Sequence, residues 1–319
     1  MRIRMILNTF YSGPQAWFFV AADRGYFAEE GLDVEFTPGD TLANAVPRVA
    51  SGAFDIGYGD MNALIEMAAH DPAAAPIAVY VMHGWSPYTI AVAADGPVRG
   101  PADLAGRTLL THPNDAALRM FPEFAHQTGL DPASPTIIEA TAHHKILIAQ
   151  VLAGEADGLF GFVNTLASAA IEAGIDPGRL RHFEWRTHVP DICGAAIIAS
   201  QSLITESPDA VRGFVRAVNR AVADVIVDPD AGIAAVARRD PSIDIAANKA
   251  RLMGTLAMEM NHPDSGILGL GDVQPMRLAR AIALIAAAKG LPSTPSPNRI
   301  FTRAFLPPEA ERIHSVVAV

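Results

Sequence analysis

One cysteine in 319 residues, Cys193, removes a whole branch of chemistry: neither an internal disulfide nor a thiolate-based metal site can form. Lysine is almost as scarce, present only at Lys145, Lys249 and Lys289, so a Schiff base has three candidate amines. No Lys/Arg-rich run interrupts a chain whose net charge is −10, from 24 basic and 34 acidic residues. Phosphate neutralisation needs a basic stripe, so a nucleic-acid partner is excluded. No apolar run approaches the roughly 18 residues of a membrane span. Aromatics make up only 7% of the chain. No charged and apolar leader precedes the first strand, so the chain is expected to be either a mature exported form or cytoplasmic.

What is present is apolar and well punctuated. Half the residues are hydrophobic, mean hydropathy is +0.22, and 24 prolines and 25 glycines mark the turns. At this length two lobes are the natural division. Short apolar strands are predicted over 3–7, 33–37, 55–58, 77–82, 88–93, 108–111, 136–139, 157–160, 180–184 and 194–200. Helices are predicted between them over 42–51, 62–69, 116–127, 143–153 and 165–173, and in a tail over 208–227, 230–237, 245–259 and 275–289. Alternation of this kind gives α/β sheets covered by helices. The turn at 95–101, rich in Gly and Pro, is the clearest boundary, and the tail supplies helices to the first sheet. The expected lobes are 1–93 with 198–319, and 94–197, joined by crossing segments near 88–97 and 188–200.

The wording is more specific than the pattern. Gly25-Tyr26-Phe27-Ala28-Glu29-Glu30-Gly31-Leu32-Asp33-Val34-Glu35 closely resembles the start of periplasmic solute-binding proteins of the nitrate/sulfonate/taurine and thiamine-precursor group. The resemblance continues through Pro101-Ala102-Asp103-Leu104-Ala105-Gly106-Arg107, Leu152-Ala153-Gly154-Glu155-Ala156-Asp157, Gly271-Asp272-Val273-Gln274-Pro275 and Ile300-Phe301-Thr302-Arg303-Ala304-Phe305. It implies a two-lobed type II periplasmic-binding-protein fold with two hinge strands. It also implies export to the periplasm, a membrane permease and an ATPase as partners, a monomer, and no cofactor.

In an open α/β sheet a ligand sits beyond the carboxyl ends of the strands. That rule, applied to two facing lobes, selects loops at or beside which lie the aromatic residues Phe10, Tyr11, Trp17, Tyr58, Trp85, Tyr88, Phe160 and Phe162, any of which can instead be core. It selects polar residues Asn44, Asp60, Asn62, His83, Asn114, Asp115, His143 and Asn164, with helix capping the competing role for Asp60 and Asp115. Arginine is missing from all of these loops. A planar nitrogen heterocycle fits such a lining, and the resemblance makes a thiamine pyrimidine precursor the leading ligand. A sulfonate, taurine or nitrate held by helix N-termini is the alternative.

Catalysis has little to build on. Neither HExxH nor GxSxG occurs, and His143-His144 lack the i, i+4 spacing of a zinc pair. The glycine run at 266–271 follows no strand and is no phosphate cradle. The resemblance also takes in pyrimidine-precursor synthases that use a lysine-bound pyridoxal phosphate. Their lysine falls at Gly59 or Asp60 here, their histidine near Asn62 or Ala63, and their cysteine cluster around the single Cys193. A binder rather than an enzyme is therefore predicted.

Overall fold

Alternation sets the first strand. In β1 (Arg2–Ile6) Ile3 and Met5 are fully buried while Arg2 and Arg4 face solvent. The computed structural model describes residues 1–41, 43–113 and 115–316. Further strands are β2 (Asp33–Thr37), β3 (Ile56–Asp60), β4 (Ile77–Val81), β5 (Tyr88–Ala93), β6 (Thr108–Thr111), β7 (Thr136–Glu139), β8 (Gly158–Phe162), β9 (Leu180–Glu184) and β10 (Ala195–Ala199). They form two sheets of the same design, ordered β2-β1-β3-β10-β4 and β7-β6-β8-β5-β9. In each, one strand runs antiparallel to its neighbours: β10, the last strand of the first sheet in chain order, against β3 and β4, and β5, the first strand of the second, against β8 and β9.

The chain divides into two compact units, Met1–Trp85 with the chain from Asp191 onward, and Ser86–Pro190. These boundaries precede those read from the sequence, 93/94 and 197/198. β5 pairs wholly within the second sheet and β10 wholly within the first. Each crossing strand is thus an insert in the sheet it arrives at, and hydrophobicity along the chain carries no signal of that.

In the first unit β1 pairs in parallel register with β2 from Arg2↔Asp33 to Ile6↔Thr37. The link between them turns on Gly25 and Gly31, with φ of 75° and 69°. A Cβ at either would touch nothing, so it is the left-handed backbone alone that calls for glycine. The helix Ala16–Asp23 packs under the long tail helix Pro208–Val227, whose buried face carries Val211, Phe214, Val215, Val218 and Val222. Arg216–Glu30, Arg220–Glu29 and Arg24–Asp224 tie the acidic turn to that helix. As exposed pairs these contribute at most about 1 kcal/mol each.

Two predicted helices break for local reasons. The one expected over 116–127 divides at Met120, because Pro122 lacks the N–H a continuous helix requires. The one expected over 245–259 is α-helical only over Ile245–Gly254 and continues as a π-helical stretch, Thr255–Met260. In the second unit Phe124 stacks on Trp185 with ring centres 4.3 Å apart, and Phe121 and Phe160 close the same cluster. Among the described residues no helix is long and apolar enough to cross a membrane.

Candidate functional site

β1, β3 and β4 run in the same direction, so the loops that leave them share one edge of the first sheet. The loop after β1 is tied down by its own side chains. Gln15 donates to Asn8 Oδ1 at 2.6 Å, and the Ser12 N–H donates to Gln15 Oε1 at 3.2 Å. The Gly13 N–H donates to Asn248 Oδ1 at 3.0 Å, and a Cβ on Gly13 would lie 2.3 Å from the Asn248 carbonyl oxygen. Gly13→Ala is therefore expected to lower stability by about 1–3 kcal/mol through overpacking, read as a reduced urea midpoint. An unchanged midpoint would refute the close approach. On this loop Phe10 is 75% exposed, and half-buried Tyr11 meets Phe19 edge-on at 5.1 Å, its phenol pKa raised by burial.

At the end of β3, Asp60 is buried and caps the helix Met61–His70, accepting from the N–H groups of Asn62 and Ala63. Asn62, also buried, donates from Nδ2 to the Cys193 carbonyl at 2.9 Å. At the end of β4, His83 lies between Tyr58, whose hydroxyl is 2.8 Å from Nε2, and Glu259, whose carboxylate is 3.2 Å from Nδ1. Burial lowers the His83 pKa against the pull of Glu259, which favours a neutral ring. The Glu259 carbonyl accepts the Trp85 N–H at 2.9 Å, so the π-helical turn fixes both residues. The half-buried Trp85 indole packs edge-on against His262, with ring centres 4.2 Å apart, and the Arg277 guanidinium carbon lies 5.9 Å from its centre.

The carboxyl edge of the second sheet gathers a different set. Asp115 caps the short helix Ala116–Arg119, accepting from Ala117 and Leu118, and burial pushes its pKa up to about 6. The His112 and His144 rings stand 4.4 Å apart. Burial, with the charge of nearby His143, lowers the His112 pKa. His143 is exposed and caps its own helix through Nδ1. Tyr88 is buried with its ring 5.6 Å from that of half-buried Phe162, and Asn164 is buried on the helix Val163–Glu172.

Trp17 and Phe160 are core residues here. Trp17 is fully buried edge-on to Tyr58, with its indole N–H unpartnered, and Phe160 packs against Phe121. Asn44 is spent on Asp40 at 3.1 Å, and Asn114 lies outside the described residues. The edge of the first sheet thus brings together Asp60, Asn62, His83 and Trp85. Sequence reasoning missed Glu259, His262, Asp264 and Arg277 beside them. All four come from the tail, so the arginine missing from the loops arrives from a helix almost two hundred residues later. The Asn261-His262-Pro263-Asp264 stretch carries the signal of a helix start, with Pro at the first helical position, but nothing that points to β4.

β3 and the helix start that follows it carry no lysine. A side chain at Gly59 would start 2.8 Å from Ile198 Cδ1. Lys249 and Lys289 pair with Asp230 and Glu66, and Lys145 is exposed on the helix His144–Ala153.

Residues 14–232 match the family model described as NMT1/THI5 like. Over 234 residues the chain is 24% identical to a formylaminopyrimidine-binding protein of Halalkalibacterium halodurans, covering 72% of this chain and 67% of that protein. It is 22% identical over 221 residues to a 4-amino-5-hydroxymethyl-2-methylpyrimidine phosphate synthase of Schizosaccharomyces pombe, covering 66% of this chain and 62% of that one. Among solved structures, the periplasmic aliphatic sulphonate binding protein SsuA from Escherichia coli superposes with a TM-score of 0.71 at 13% identity, covering 94% of this chain and 92% of its own. The fold is the two-lobed α/β fold of the periplasmic binding proteins, as the sequence predicted.

Proposed function

The chain belongs to the NMT1/THI5-like family, and from that premise we propose that it is the solute-binding protein of an ABC importer. Its ligand is a small planar nitrogen heterocycle, a thiamine pyrimidine precursor first among candidates, held without a covalent step and passed to a permease and ATPase at the periplasmic face of the membrane. The observation that carries this reading is the aromatic edge of the first sheet: Phe10 is 75% exposed and Tyr11 and Trp85 are half-buried, a costly display unless a flat apolar face covers it. Asn62 adds a polar group of the kind that matches ring nitrogens, with His83 held behind it by Tyr58 and Glu259. The formylaminopyrimidine named for one relative is a ligand of that class.

The synthase relative raises the enzyme alternative. A pyridoxal phosphate aldimine needs an amine at the end of β3, and the packing around Gly59 with the buried cap Asp60 does not fit one. Anion binding is also less well supported at this edge, because the guanidinium beside Trp85 is already paired with Asp264.

A thermal-shift screen with hydroxymethylpyrimidine, formylaminopyrimidine, riboflavin, taurine and nitrate tests the reading. A pyrimidine at a hundredfold excess over its Kd should add about 2.7 kcal/mol of stability. Stabilisation by taurine or nitrate alone would end the pyrimidine assignment. An aldimine absorbance band with pyridoxal phosphate, abolished by borohydride, would revive the enzyme.

A further inference from the structure

Arg277 is 5% exposed, and its contacts gather where the chain leaves and re-enters the first unit. Its Nη2 donates to the Gly84 carbonyl and, at 3.4 Å, to that of Ile192. Gly84 stands one residue before Trp85, where the chain leaves the first unit, and Ile192 one residue after Asp191, where it returns. Nη1 donates to Asp264 Oδ2 at 3.0 Å. The Asp264 N–H in turn donates to His262 Nδ1 at 2.9 Å, which sets the ring that lies against Trp85. The Nε of Arg277 is buried with no partner.

A desolvated guanidinium with an idle N–H is a poor way to stabilise a fold, since an apolar side chain of similar volume does as well or better. What an apolar side chain cannot do is grip two carbonyls and a carboxylate at once while lying beside an indole. Lysine, a point charge on a flexible stem, cannot do it either. We infer that Arg277 is the positioning residue of Trp85, fixing the indole with Asp264 and His262 as the rigid stacking face for the planar solute. This rests on the proposed function for the identity of the solute, but not for the packing of the indole.

The test uses the three tryptophan indole N–H resonances of the whole protein, with Trp85→Phe assigning one of them. In Arg277→Lys the Trp85 resonance should shift or broaden while those of Trp17 and Trp185 stay in place. The Kd for 4-amino-5-hydroxymethyl-2-methylpyrimidine should rise about tenfold. In a Trp85→Leu background the same substitution should weaken binding by less than about twofold, because its effect runs through the indole. Should Arg277→Lys fail to fold, the charge-free pair Arg277→Met with Asp264→Asn replaces it, with the same expectations. A stationary Trp85 resonance overturns the inference, and so does a tenfold loss that persists without the tryptophan. If no pyrimidine binds the wild-type protein, the proposed function falls, and the Trp85 resonance alone decides for or against positioning.

Discussion

Asp264→Ala is expected to cost about 3–5 kcal/mol of folding stability, far more than the loss of a surface carboxylate. The side chains of Asp264 and Arg277 are 9% and 5% exposed and meet at 3.0 Å. Removing the carboxylate strands the guanidinium in a buried site, with the Gly84 and Ile192 carbonyls and, 3.5 Å from Nη1, the His262 Nδ1 beside it. It also strips an acceptor from the Gln274 N–H, 3.1 Å away at the start of the helix Pro275–Lys289. Combining it with Arg277→Met should cost less than the two single changes added together, because no charge is then left alone. Urea denaturation at pH 7.5 measures all three. A loss below about 1 kcal/mol for the single variant, the value of an exposed pair, would contradict the buried network.

Acid should destabilise the protein at pH values where an ordinary carboxylate, with a pKa of about 4, is still ionised. Burial drives the His262 pKa down to about 4, with the Arg277 charge helping, and burial alone takes His182 to about 4. Between about pH 6.5 and 4 the unfolded chain binds protons on these rings that the folded chain refuses. Stability therefore falls as pH drops, at up to about 1.4 kcal/mol per pH unit per ring, and by less at half-buried His182. His83, His112 and His188 are shifted in the same direction. Asp115 acts the other way: with its pKa raised to about 6, the folded state keeps a proton that the unfolded carboxylate releases, so it gains stability on acidification. The expected profile of urea midpoints at pH 7, 6, 5 and 4.5 is a decline that begins above pH 6. Asp115→Asn, which retains a capping side chain, should steepen that decline below pH 6. A flat profile would mean that the histidines are solvated.

Local chemistry explains which parts of this fold could be read in advance. β2, β5, β6, β7 and β9 start and stop at their expected residues, being apolar or alternating runs closed by Gly, Pro or a helix cap. The tail helices Pro208–Val227 and Pro275–Lys289 follow from apolar periodicity behind a proline at the first turn. Sheet membership was not legible, because an apolar strand such as Tyr88–Ala93 suits either sheet and only long-range pairing chooses. The site was legible in part. Loop position finds Asp60, Asn62, His83 and Trp85, while the capping roles of Asp60 and Asp115 follow from their place before a helix. Glu259, His262, Asp264 and Arg277 are invisible to such reasoning, since their meaning lies in contacts with the loop after β4, and with one another, made from a distant tail. The π-helical turn that presents Glu259 to His83 and Trp85 has no sequence signature at all.

The whole functional account stands or falls on a calorimetric titration of the intact protein with 4-amino-5-hydroxymethyl-2-methylpyrimidine, followed by recovery of the compound. It predicts saturable binding of one molecule per chain, a negative heat-capacity change from apolar burial, and a ligand returned chemically unchanged. No heat with any pyrimidine alongside clear saturation by taurine, or a recovered compound that has been altered, would contradict it.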